Sequence, residues 1–183
     1  MIFHVQVLPW GGVILLNISF SVNAQKSVNH TGYCTSYGWD DNSPPSAAIA
    51  YPKSDGYPTM HDEAYEGTGK YGDPITFATD KNEIPIGSIV YVPYLRKYFI
   101  MEDDCGGCDN DWKNGHYHID LWMGPQHSLP SNALYKCEDY VTSDGYYSKW
   151  DAPIIVNPAN NLAVDTTPLI NPTTANCTAV IYK

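Results

Sequence analysis

Apolar and polar positions alternate in short bursts along most of this chain, and the bursts are bounded by Gly, Pro, Asn and Asp. That pattern predicts strands at Thr31–Trp39, Ala47–Tyr51, Ile75–Ala78, Ile89–Val92, Lys97–Met101 and Tyr117–Trp122. Between the second and third, Pro52 to Gly72 is polar and glycine-punctuated, a surface excursion with at most one helical turn around Asp62 to Tyr65. Pro130 to Tyr135 predicts a short helix capped by Ser128 or Ser131. Cys137 to Trp150 reads as a tyrosine-rich loop, and Ile154 to Lys183 as a closing strand or an arm laid along the barrel. Many short strands with little helix make an all-β fold, a small closed barrel or a sandwich.

The N-terminus differs. Residues 1–24 contain no Lys, Arg, Asp or Glu, and Val13 to Ile18 is a brief apolar run. Val22 and Ala24 are the small residues that precede a signal-peptidase cut, so residues 1–24 are expected to be a signal peptide. Pro9, Gly11, Gly12 and Asn17 interrupt the run and argue against a spanning helix. Residues 25–183 are then one secreted domain, with its core at about 31–124 and an extension over 125–183.

Composition sharpens this. The 15 Tyr and 5 Trp favour sheet, and 20 acidic against 10 basic residues give a net charge of -10. Such a charge excludes phosphate backbones and anionic membranes as partners. Five cysteines in an oxidising compartment would form two disulfides with one thiol left over, or pair with another chain. The sequons at Asn29 and Asn176 fit a eukaryotic secretory route. No serine triad order, phosphate loop or basic stripe is present.

Acids concentrate between Ile84 and Gly124, where two apolar strands lead to Asp103, Asp104, Cys105 and Cys108, and a third carries His118, Asp120 and Trp122. The run Phe77-Ala78-Thr79-Asp80, then Ile84-Pro85-Ile86-Gly87, Val90-Tyr91-Val92-Pro93, Asp104-Cys105-Gly106-Gly107 and Ile119-Asp120-Leu121-Trp122-Met123-Gly124 resembles the three-aspartate (3D) domain of lytic transglycosylases. The resemblance implies a six-stranded double-psi β-barrel with long loops and Asp80, Asp104 and Asp120 as its three aspartates. A weaker resemblance links Thr35 to Asp40 and His118-Ile119-Asp120 to RlpA-like proteins, expansins and family 45 glycoside hydrolases. Cys105 stands where the 3D family has Thr, and an insertion from Cys108 to Tyr117 remodels one wall of the implied groove.

Glycosidic bonds break through an oxocarbenium-like state and need a neutral carboxylic acid. Clustering and burial keep one carboxyl protonated. Asp120, on a strand bordered by apolar residues and expected near Asp104, is therefore the candidate general acid. In the lytic transglycosylase-like reading, Asp104 and Asp80 tune it. In the inverting-hydrolase reading, Asp40 activates water. In the expansin- or barwin-like reading the groove binds polysaccharide, or another secreted enzyme, without cleavage. Tyr37, Trp39, Trp112, His118 and Trp122 are the candidate substrate contacts, the aromatic rings as stacking platforms. Asp80 and Asp104 beside turns also suit simple capping. His116 and His118 with Asp109 or Asp111 have metal-like spacing, and Cys105-x-x-Cys108 redox-like spacing. Neither is adopted, so no metal or cofactor is expected. The expected partner is a cell-wall polysaccharide, with no nucleic acid and no membrane after signal cleavage, and the chain is expected to be a monomer.

Overall fold

Six segments rich in β-branched and aromatic residues form strands: Val28–Tyr37 (β1), Ile75–Ala78 (β2), Ile89–Val92 (β3), Lys97–Asp103 (β4), Tyr117–Trp122 (β5) and Ala152–Val156 (β6). In the computed structural model, which describes residues 26–183, they close into a mixed barrel in the order β1-β5-β2-β4-β3-β6. The expected signal peptide lies outside the described residues. β1 runs parallel to β5 and β2 parallel to β4, whereas the other neighbours are antiparallel. Strands and loops dominate, with two short helices, Gly106–Lys113 (α1) and Ser131–Val141 (α2).

Alternation decides what enters the barrel. Cys34, Phe77, Val90, Phe99, Met101, Ile119, Leu121 and Ile154 are all fully buried. Each such apolar side chain stabilises the fold by roughly 1.5–3 kcal/mol relative to exposure. β2 and β4 are buried on both faces, because the excursion before β2 lies over them. Glu102 ties it down. Its carboxylate, fully buried, accepts from the backbone N–H groups of Met60 (2.7 Å) and His61 (3.0 Å), from Thr76 Oγ1 (2.8 Å) and from His61 Nδ1 (2.8 Å).

Several expected boundaries shift. β2, β3 and β5 have the predicted limits, β1 starts and ends earlier, and β4 continues through Glu102 and Asp103. Ala47–Tyr51 is not a strand. It is a loop pinned to β4 by Tyr51 N–H to the Glu102 carbonyl (3.1 Å) and Ala50 N–H to Asp103 Oδ1 (2.8 Å). No helical turn forms at Asp62 to Tyr65, and the excursion's 3-10 turn lies at Lys53–Asp55. The insertion folds as α1, whose N-cap is Cys105. α2 runs past Tyr135 to Val141; its N-cap is Pro130, with no side-chain capping bond, while the Ser128 hydroxyl donates instead to Asp40 Oδ1 at 2.9 Å.

Cysteine use fits the arithmetic. Cys105–Cys108 and Cys137–Cys177 are disulfides, and Cys34 is the remaining thiol, sealed inside the barrel where burial pushes its pKa up. The second bridge clips α2 to the C-terminal arm, and after β6 closes the barrel that arm returns along it through Tyr182 N–H to the Tyr94 carbonyl (2.8 Å). Among the described residues no helix is long and apolar enough to cross a membrane.

The β1–β5 contact is close at Gly32, where an added Cβ would lie 2.6 Å from the Tyr117 carbonyl oxygen. Backbone cannot yield as a side-chain tip can. Gly32→Ala is therefore expected to lower stability by about 1–3 kcal/mol, read as a reduced urea midpoint with an unchanged m-value.

Candidate functional site

Partners in a strand register point to the same face of the sheet, so register reveals which side chains meet. Tyr33 pairs with His118, Thr35 with Asp120 and Tyr37 with Trp122. Cys34, Ile119 and Leu121, the alternating residues, fill the barrel. The three pairs therefore form rungs on its outer face.

One end of this ladder is dry. Tyr37 and Trp122 make an edge-on contact at 5.2 Å, and both are buried. The Tyr37 hydroxyl donates to Asp103 Oδ2 at 2.9 Å. The other end is wetter. Tyr33 meets the His118 ring at 5.0 Å and the edge of Trp150 at 5.8 Å, and Trp150 stacks on His116 at 4.3 Å. Lys149 Nζ lies over both the Tyr33 and Trp150 rings.

Asp120 sits on the rung between, half-buried. Its Oδ1 accepts from Thr35 Oγ1 at 2.7 Å. Burial pushes its carboxyl up to about 7; the Thr35 bond opposes this, while the charges of Asp41 and Asp103 add to it. Two other carboxyls are held high mainly by burial. Glu138 on α2, beside Asp41, is pushed up to about 9, and Glu83, beneath β5, to about 8. Each keeps one buried oxygen without a partner, Oε1 in Glu138 and Oε2 in Glu83. His118 is buried and bonded on all sides. Its ring reaches Thr35 Oγ1 through Nε2 (2.9 Å) and Asp111 Oδ2 through Nδ1 (2.7 Å), and its backbone N–H donates to Glu83 Oε1 (2.9 Å).

The candidate residues divide accordingly. Asp120 and His118 lie together on the ladder. Asp104 does not join them: it is exposed and accepts from the Tyr51 hydroxyl at 3.2 Å. Its neighbour Asp103 takes the inner place, because β4 runs one residue pair further than the sequence suggests and successive strand residues face opposite ways. Asp80 is buried and caps a turn, accepting from Asn82 N–H (2.7 Å) and Asn82 Nδ2 (2.9 Å). Asp40 bonds Ser128, and Asp41 is the acid of that turn that faces Asp120. Tyr37 and Trp122 are corrected as stacking platforms, since a ring sealed in the core offers no face to a sugar. Trp39 and Trp112 are half-buried, Trp112 against the edge of Tyr117. Tyr33, Thr35, Asp41, Glu138 and Trp150 went unnoticed. The i, i+2 spacing of Tyr33, Thr35 and Tyr37 opposite His118, Asp120 and Trp122 was the available signal for the first two.

Cys105, Cys108 and His118 place three donor atoms within 4.8 Å of one another. The two sulfurs are bonded together and both ring nitrogens have partners, so this group presents no free donor to a metal.

An acid whose pKa is higher folded than unfolded binds more protons in the native state, so its contribution to stability falls as pH rises between the two values. For Asp120 that window runs from its ordinary 3.8 to about 7. Asp120→Asn should flatten the loss of urea midpoint across that window. The further loss from Glu83 and Glu138, up to about 8 and about 9, should be retained.

Residues 29–178, from β1 to the C-terminal arm, match the family described as DDB_G0273701 N-terminal domain. A relative from Dictyostelium discoideum, Uncharacterized protein DDB_G0273701/DDB_G0273221, is 41% identical over 160 residues. The alignment covers 86% of this chain and 63% of the relative, so the chain spans less than two thirds of the relative's length. No solved structure matches. With the match running through every strand and both disulfides, this chain belongs to the DDB_G0273701 N-terminal domain family.

Proposed function

We propose that this protein binds a polysaccharide along the outer face of β1 and β5 and cleaves a glycosidic bond with Asp120 as general acid. One observation carries the reading: Asp120 keeps contact with solvent while its surroundings hold its carboxyl near neutrality, as a proton donor to a departing sugar oxygen requires. Beside it, the half-exposed row of Tyr33, Trp150 and His116 offers ring faces and edges suited to sugar rings.

Asp103 is a poor second catalyst. Its Oδ1 accepts from Ala50 N–H and Asp104 N–H and its Oδ2 from Tyr37, so both oxygens are already engaged. A transglycosylase-like reaction, in which the substrate's own hydroxyl attacks, needs one acid and fits this arrangement. Hydrolysis would call on Asp41, the exposed acid facing Asp120. We infer a double-psi barrel of 3D type from the ordered motifs, with which a closed barrel holding two parallel pairs is compatible. Secretion is likewise our reading, supported by two disulfides. A second reading, binding without cleavage, is favoured by the engagement of Asp120 Oδ1 and both Asp103 oxygens.

Incubation with peptidoglycan, chitin and cellulose, followed by mass spectrometry of soluble products, separates these readings. Anhydro-ended fragments mean transglycosylation, reducing ends mean hydrolysis, and retention without release means binding. Asp120→Asn is expected to slow cleavage roughly 10²- to 10⁴-fold; unchanged cleavage would remove Asp120 from the role. Trp150→Ala should weaken retention on the same glycan without abolishing cleavage of short soluble fragments.

A further inference from the structure

Thr35 has one hydroxyl proton and two partners, Asp120 Oδ1 at 2.7 Å and His118 Nε2 at 2.9 Å. It can donate to only one of them. On the far side of the ring, Asp111 Oδ2 is 2.7 Å from Nδ1 and can only accept when ionised, which places a proton on Nδ1. The charge of the ring then decides the direction of every bond in the chain. With a neutral ring, Nε2 is an acceptor, Thr35 donates to it, and Oγ1 receives the proton of Asp120 Oδ1. With a charged ring, Nε2 donates to Oγ1 and Thr35 donates to Asp120 Oδ1, which must then be unprotonated. A neutral ring beside an ionised carboxylate leaves two acceptors competing for one proton, with one of them unsatisfied in a largely buried setting.

We propose that Asp111, His118 and Thr35 form a proton-holding chain that ties ionisation of Asp120 to protonation of His118. His118, Asp111 and Thr35 are then positioning residues for the acid, and this consequence for catalysis rests on the general-acid reading of Asp120. The transfer balances simply. The Oδ1–H bond of Asp120 breaks and its proton joins Thr35 Oγ1; the original Oγ1–H bond breaks and that proton joins Nε2. One proton has moved from Asp120 to His118, no electron has been exchanged, and two neutral groups have become an ion pair. When Asp120 instead gives a proton from Oδ2 to a glycosidic oxygen, the proton released by the attacking hydroxyl joins His118 Nε2, and the charged ring then holds the new carboxylate through Thr35. Return of that proton through Thr35 to Asp120 restores the acid.

The surrounding charges suit a shared proton. Asp41 from the turn after β1 and Asp103 from β4 face Asp120 and disfavour a bare anion there, while Glu138 from α2 is itself pushed up by burial, by Asp41 and by Asp120. Burial, helped by Lys149 from the loop before β6, holds the His118 pKa below its ordinary value, and Asp111 from α1 opposes this by favouring the charged ring. Glu83, beneath β5, meets the backbone N–H of His118, and Tyr33 covers the ring.

Carbon NMR of the full chain against pH tests the linkage without a substrate. The side-chain carboxyl carbon of Asp120 and the ring carbon of His118 should report the same pair of midpoints, as coupled sites do. Thr35→Val should abolish the shared midpoints, give each nucleus one transition, and move that of Asp120 upward as its donor is lost. Thr35→Ser should restore the wild-type curves. Independent single midpoints in the wild type overturn the proposal, even if the valine variant fails to fold; so do curves that Thr35→Val leaves unchanged. Shared midpoints in a protein that cleaves none of the three glycans uphold the chain and remove the general-acid reading. Cleavage with independent midpoints does the reverse.

Discussion

The parallel register of β1 on β5 is the constraint on which the candidate site depends. It fixes Thr35 opposite Asp120 and Tyr33 opposite His118, and it is held by the near contact of Gly32 with the Tyr117 carbonyl and by Cys34 and Ile119 sharing the barrel interior. A slip of one residue would turn Cys34 outward and Thr35 into the core, so the same apolar packing that closes the barrel also specifies the ladder. Alignment of the polar groups is thus a by-product of burying their neighbours.

Burial does not act on all acids of this barrel alike. Glu102 is fully enclosed but accepts four hydrogen bonds, and its effect is to fasten the excursion before β2 onto the barrel. Asp120 is less enclosed but has a single hydrogen bond and two acidic neighbours, and it is pushed up to about 7. Desolvation that is answered by donors produces a structural anchor. Desolvation that is left unanswered produces a group poised to exchange a proton.

Much of the barrel was legible because alternation is a local signal. β2, β3 and β5 could be bounded to the residue, and His118 and Asp120 could be picked out on one face of β5. The failures share a cause. Glu102 and Asp103 are charged residue types at the end of an apolar run, and donors supplied from elsewhere in the chain, the backbone of residues 50–61 together with the Thr76 and Tyr37 hydroxyls, are what let them continue a buried strand. Stopping β4 early assigned the inner place to Asp104. Tyr37 and Trp122 were legible as neighbours of the acid but not as sealed ones, since sequence shows which face a side chain takes and not what lies over it. α1 was hidden because Cys105 serves as its N-cap in place of the usual Ser, Thr, Asp or Asn.

The two helices that sequence read least well are the ones that complete the surroundings of Asp120. α1 carries Asp111 to His118, and α2 carries Glu138 toward Asp41 and Asp120. α2 is pinned by Cys137–Cys177 to the C-terminal arm, whereas Cys105–Cys108 closes the N-cap of α1 onto its own first turn. Bringing carboxyls together in a chain of net charge -10 is unfavourable, and an unpinned helix could relieve the repulsion by swinging its acid into water. Covalent attachment of α2 to the arm limits that escape for Glu138. The Cys137–Cys177 disulfide therefore bears on the site as well as on stability, since it keeps Glu138 near Asp41 and Asp120, while Asp111 is held at β5 by its bond to His118.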